Sequence, residues 1–128
     1  MNWIQVETEG GVTAFRPGDV IAGRARWQLG EAPENVELRL FWYTEGKGTQ
    51  DLEIVETLSF ANPTADDRRS FQIRAPKGPY SCSGKLVSLI WALEIVVHPS
   101  EESGRTQITI SPTGEEVLLY GRMVPRAG

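Results

Sequence analysis

The chain has little of what most active sites are made from. It holds one cysteine, Cys82, and one histidine, His98, in 128 residues. A lone thiol cannot close an internal disulfide, which fits a reducing compartment, so a cytoplasmic location is expected. Zinc takes three or four Cys or His ligands, and the chain has two such residues in all. A Ser-His-Asp or Cys-His hydrolase needs a base beside its nucleophile, whereas His98 sits at a strand end before Pro99, away from the Ser81-Cys82-Ser83 cluster. No apolar run approaches the ~18 to 20 residues of a membrane span, so no membrane insertion is expected. Met1-Asn2-Trp3-Ile4-Gln5 lacks the basic start and apolar stretch of a secretory signal. Positive charge is also scarce: 13 Lys and Arg against 17 Asp and Glu leave a net charge of −4. Such a field repels phosphate backbones, and no nucleic-acid partner is expected.

The charged clusters that do occur read as structural. Arg68-Arg69 follows Asp66-Asp67 directly and reads as locally cancelled, while Arg24 and Arg26 alternate along a strand as the wet face of a one-sided sheet. Asp66-Asp67 and Glu101-Glu102 are the candidate carboxylate pairs for glycoside hydrolysis or calcium. Neighbours on a strand point to opposite faces, and pairs in loops are usually solvated. Glu45-Gly-Lys-Gly-Thr-Gln50 lacks the strand-to-helix setting of a phosphate loop. The expectation is therefore a protein that is not an enzyme, with no catalytic residue, metal ligand or cofactor.

What the sequence has in quantity is alternation. In Ile21 to Leu29 the odd positions are apolar or small, while Arg24, Arg26 and Gln28 face the other way. Val36, Leu38, Leu40 and Trp42 repeat this up to a glycine-rich turn at Thr44–Asp51, and Leu52 to Phe60 reads as the return strand of a hairpin. Phe71 and Ile73 share one face of a strand that ends at Ala75-Pro76, since proline has no N–H for a ladder. From Leu86 to Val97 nearly every position is apolar. Its β-branched and aromatic content reads as a long strand buried on both faces for part of its length, with a 3.6-residue helical period as the competing pattern. Residues 98–104 read as a loop, Thr106 to Ser111 as a strand, and Glu116 to Val124 as a final strand. Trp27, Trp42 and Trp91 fall at inward positions, and Trp3 lies near a terminus. About eight or nine short strands with prolines and glycines at their junctions mean an all-β sandwich or barrel. The length suits one domain over 1–128, burying roughly two-thirds of the unfolded chain's surface.

Five segments in order narrow this to a family resemblance. Phe15-Arg-Pro-Gly-Asp-Val-Ile-Ala-Gly23, Phe71-Gln-Ile73, Pro76, Tyr80-Ser-Cys-Ser-Gly84 with Trp91-Ala-Leu93, and Ile108-Thr-Ile-Ser-Pro112 resemble the arrestin-like domains, as found in arrestins and their retromer-subunit relatives. The resemblance implies an immunoglobulin-like antiparallel β-sandwich of the arrestin type. The residue types also have physical reasons. Pro17-Gly18 suits the centre of a type II turn, and Gly23 and Gly84 allow a bulge or the close approach of a backbone or ring. Arrestins pair two such domains, and this sequence matches one.

These readings point to a non-enzymatic adaptor or scaffold domain that binds a protein partner, or a second copy of itself, through an edge strand or loop. The edge expected is the first strand, at Trp3, Ile4 and Val6, which has few guards against strand addition. The loop expected is the hairpin tip at Gly46, Lys47 and Gly48, placed like the loop that arrestins insert into receptors. The resemblance implies a cytoplasmic segment of a membrane protein as partner. The alternative is a carbohydrate- or small-ligand-binding sandwich that uses Trp3, Tyr43 or Tyr120 as stacking platforms.

Overall fold

The structure is a computed structural model and describes residues 2–46, 48 and 50–118. Ten strands run in order: β1 (Trp3–Thr8), β2 (Ala14–Phe15), β3 (Val20–Gln28), β4 (Asn35–Gly46), β5 (Leu52–Phe60), β6 (Asp66–Arg74), β7 (Cys82–Ser83), β8 (Val87–His98), β9 (Ser103–Ile110) and β10 (Val117–Leu118). Among the described residues the sole helical element is a 3-10 turn at Glu9–Gly11. Three of the strands, β2, β7 and β10, are two residues long. Those pairings leave no period in the sequence, which is why fewer strands are expected from it. The strand expected over Glu116 to Val124 is β10 as far as Leu118, and its remainder lies outside the described residues.

Two sheets face each other. One holds β1, β3 and β6 in that order, all antiparallel. The other runs β10-β7-β8-β4-β5, with β9 beside β8 and β2 parallel to the end of β9. The alternating residues of both sheets meet in one core. Ile21, Ala25 and Trp27 from β3 pack opposite Val36, Leu38 and Leu40 from β4 and Trp91, Leu93 and Ile95 from β8. All nine are fully buried.

β8 is a strand, not a helix. It is the central strand of its sheet, paired with β4 along its whole length and with β7 and β9 on its other side. Its inward residues Trp91, Leu93, Ile95 and Val97 are buried, and so are the outward-facing Ile90, Ala92 and Val96. Both parities are therefore apolar, as expected for part of its length. The pairing with β8 also carries β4 past Thr44 to Gly46, which lies opposite Val87, so the hairpin turn begins later than the glycine content indicates. β9 likewise begins at Ser103, inside the segment that reads as a loop, because Ser103 pairs with Val96.

The Phe15–Gly23 segment folds as its residue types require. The Asp19 N–H donates to the Arg16 carbonyl at 3.0 Å, closing a turn with Pro17 and Gly18 at its centre, and Gly18 takes φ +90. The Asp19 carboxylate accepts the Arg16 N–H at 2.8 Å, which pins the turn from inside. Gly23 faces the core, and a side chain there would collide with the Glu7 carbonyl and with the ring of Phe71. Both parts set how β3 enters the sheet.

Candidate functional site

The residues that look reactive in the sequence hold the fold together. Ser81 is buried, and its Oγ accepts the Ile110 N–H at 3.0 Å while its own N–H donates to the Ile110 carbonyl at 2.8 Å. The same residue's carbonyl accepts the Val117 N–H at 3.0 Å, so Ser81 stitches β9 to β10. Cys82 pairs with Leu89, whereas His98 ends the same strand nine positions on, a separation of roughly 30 Å at about 3.3 Å per residue. No Cys-His pair forms. His98 instead bridges two carboxylates, with Nε2 at 3.1 Å from Glu37 Oε1 and Nδ1 at 3.0 Å from Glu101 Oε2. Its hydrogen bond, followed by that of the Arg39 guanidinium, holds the Glu37 carboxyl below the usual carboxylate range. Among the described residues no group of three or more His, Cys, Asp or Glu is placed to hold a metal ion.

Asp66 and Asp67 separate as adjacent strand residues must. Asp67 accepts the Thr64 and Arg68 N–H groups and the Arg69 guanidinium, all within 3.2 Å, and Arg69 reaches on to the Asn62 carbonyl at 3.0 Å. These bonds, the Arg69 contact first, hold the Asp67 carboxyl at about 2 against an ordinary 3.8. A carboxylate with a depressed pKa adds stability above its unfolded value and loses it as pH falls through the folded one. Asp67→Asn is thus expected to cost about 1 kcal/mol at pH 7 after allowance for solvent screening. In thermal melts the gap between variant and wild type should narrow from pH 4 downwards and close only below pH 2. A gap that stays constant over that range would refute the charge role.

Arg68 and Arg69 separate to the two faces of β6. Only Arg69 pairs with Asp67, while Arg68 turns to the outer face, directly opposite Arg26 and beside Arg24. Like charges across a ladder are mildly unfavourable, and the same outer face carries Glu7 opposite Arg24 and Asp66 two residues before Arg68. Trp3 borders these charges, with the Arg26 guanidinium 5.6 Å from its ring and its indole N–H donating to Gln28 Oε1 at 2.8 Å.

The sheet edges decide where a strand could be added. β1 ends the three-stranded sheet, but its outer side is not open. Gly104 of β9 lies so close to the Ile4 carbonyl that a Cβ there would collide with it. Val6 is buried and Ile4 packs against the core, which leaves Trp3 as the exposed member of the expected trio. β6 ends the same sheet with Asp66, Arg68 and Arg74 on its exposed face. β5 differs from both. Among the described residues it bonds to β4 alone, and seven of its nine residues are exposed, including Leu52, Ile54 and Val55 at 60, 45 and 40%. From Gln50 to Asn62 there is no Lys, Arg or Pro to guard it. The signal was present in the sequence as a strand with exposed apolar residues and no Lys, Arg or Pro, but nothing there says which strand is last in the sheet.

The other expected sites fall as follows. Gly46 and Gly48 are exposed at the hairpin tip and both have positive φ. Lys47 lies outside the described residues, as does Tyr120. Tyr43 stacks on Phe41 with ring centroids 5.9 Å apart, and Arg105 covers both rings at 5.4 and 4.9 Å. That aromatic surface is already occupied from within the chain.

No protein-family model matches the chain, and no curated protein matches it. Among solved structures it is similar to the sporulation control protein Spo0M from Bacillus subtilis, with a TM-score of 0.62 and 14% identity over 86% of this chain. The fold is an arrestin-type β-sandwich. At that identity the likeness concerns the fold. The alignment covers 49% of Spo0M, so the chain spans about half the length of that protein. No helix among the described residues is long and apolar enough to cross a membrane.

Proposed function

We propose that this domain is a non-enzymatic protein-interaction module that takes up a strand of its partner on the open edge of β5. The observation that carries the reading is the edge itself: a nine-residue strand that among the described residues is paired on one side only, with Leu52, Ile54 and Val55 exposed. An unpaired edge offers main-chain donors and acceptors to any extended segment, and side chains alternating along it supply the selectivity. The engagement of Ser81, His98 and Asp67 in structural bonds supports a binding role over catalysis. β5 replaces β1 in this reading because Gly104 and Ile4 close the β1 side.

The test is capture of partners from the native host's extract by the tagged domain, compared with Leu52→Lys/Ile54→Lys. Both side chains are exposed, so the variant should fold and melt like the wild type while its edge is guarded by charge. The expected outcome is a protein retained by the wild type and lost by the variant. Equal retention by both would place the interaction elsewhere.

A further inference from the structure

β4 and β5 pair in step from Val36 with Phe60 to Leu40 with Glu56, and then the register slips: Phe41 faces Ile54, and Val55 has no partner. Val55 is the extra residue of a β-bulge, and a bulge resets which face each later residue occupies. In an unbroken strand Glu53 and Glu56, three apart, would point to opposite sides. With the bulge between them both lie on one face, Glu56 beside Leu40 and Glu53 beside Trp42. Leu52 and Ile54 then share the other face, beside Tyr43 and Phe41. That face continues into a depression of 280 Å³ lined in part by Phe41, Tyr43, Leu52 and Arg105. Over Leu52–Glu56 the open edge thus carries two acids on one side and two apolar side chains on the other, while beyond the bulge Leu58 and Phe60 follow on the acids' side and Thr57 and Ser59 on the other. Neither Glu53 nor Glu56 takes part in an ion pair among the described residues.

We infer that the strand taken up by β5 is amphipathic by alternation, with Lys or Arg on the face of Glu53 and Glu56 and apolar side chains on the face of Leu52 and Ile54. This rests on the edge reading above and adds the partner's chemistry to it. Cross-strand neighbours on one face interact directly, so opposite charges beside Glu53 and Glu56, and apolar groups beside Leu52 and Ile54, select both sequence and register. A second copy of the chain fits poorly. Its own β5 brings two more glutamates to the seam and no cation.

The test uses fluorescein-labelled nonapeptides and fluorescence anisotropy. One alternates valine with lysine, a second alternates valine with glutamate, and a third has the composition of the first with its lysines in one block. The wild-type domain should bind the first peptide about tenfold more tightly than either of the others, and Glu53→Lys/Glu56→Lys should prefer the second by a similar factor. Leu52→Ser/Ile54→Ser should weaken the first peptide while leaving the fold unchanged by circular dichroism. Equal binding of the blocked peptide would reduce the effect to unspecific charge and overturn the assignment. Binding of both alternating peptides, lost in Leu52→Ser/Ile54→Ser, would keep the edge and overturn only the charge pattern. If no peptide binds, both the edge and its chemistry fail. A wild-type dimer that Leu52→Ser/Ile54→Ser separates would give the edge to a second copy and overturn the heterologous partner.

Discussion

Trp91→Ala is expected to leave the domain largely unfolded at 37 °C. The indole is fully buried in the middle of β8, between Trp42 of β4 and Ile108 of β9. Removing it takes away contact area and leaves a cavity that two paired neighbours cannot close without breaking ladder bonds, a loss of about 3 to 5 kcal/mol. A second loss is added, because the indole N–H donates to the Pro79 carbonyl at 2.7 Å and ties the Pro76–Tyr80 loop to the core. An unpaired acceptor at a buried site costs about 1 to 3 kcal/mol more. The sum is comparable with the whole stability of a small domain, about 5 to 15 kcal/mol. Trp91→Phe separates the two parts, since it keeps most of the volume and loses only the donor. Urea unfolding should rank the wild type above Trp91→Phe and that above Trp91→Ala; equal midpoints for the wild type and Trp91→Phe would mean that the hydrogen bond is worth nothing.

Gly23→Val is expected to be nearly as damaging, for the opposite reason. The side-chain direction at residue 23 is inward, and a Cβ would sit 2.6 Å from Phe71 Cζ and collide with the Glu7 carbonyl. A free side chain such as the ring can rotate away at some expense, but the carbonyl belongs to the β1 ladder, where Thr8 pairs with Gly23. Relief would need β1 to move off the sheet, so the expected loss is about 3 kcal/mol or more, at the upper end of overpacking. Gly18→Ala gives the contrast. Nothing lies within 4 Å of a Cβ there, and only its φ of +90 is unfavourable, so about 1 kcal/mol should be lost. Thermal melts should put Gly23→Val far below Gly18→Ala. Similar melting points would show that Phe71 and β1 yield more easily than their packing indicates.

The same two glycines show how much of the fold the sequence discloses. Pro17-Gly18-Asp19 announces its turn because the turn needs only its own four residues, and the hydrogen bond between Arg16 and Asp19 closes as expected. Gly23 announces a close approach without naming what approaches, since Glu7 and Phe71 are far away in the chain. Trp27 and Trp91 are legible as core residues from period two, and their indole partners, the Thr64 and Pro79 carbonyls, are not. Arg68-Arg69 reads along the chain as one basic pair, whereas on a strand only alternate residues share a face, so Arg69 meets Asp67 while Arg68 lies on the outer side.

The candidate site was less legible than the fold. Trp3, Ile4 and Val6 have the composition of an open edge, yet β9 crosses beside them, and no local pattern reports a strand from the opposite sheet. The run Leu52-Glu-Ile-Val-Glu56 reads as a hairpin arm with mixed faces, and the bulge at Val55 that sorts its acids from its apolar residues appears only in the pairing with β4.

By itself the sequence determined the long elements: which long segments are strands, which of their faces are apolar, where prolines and glycines stop or turn them, and that the chain has one cysteine and one histidine. Each of these depends on bonding and sterics within a few residues. The tertiary structure alone decided which strand ends a sheet, which edge another sheet covers and how one unpaired residue shifts a register. Those outcomes depend on contacts between segments distant in the chain, where loop closure and packing across the core set the arrangement and local preference has no part.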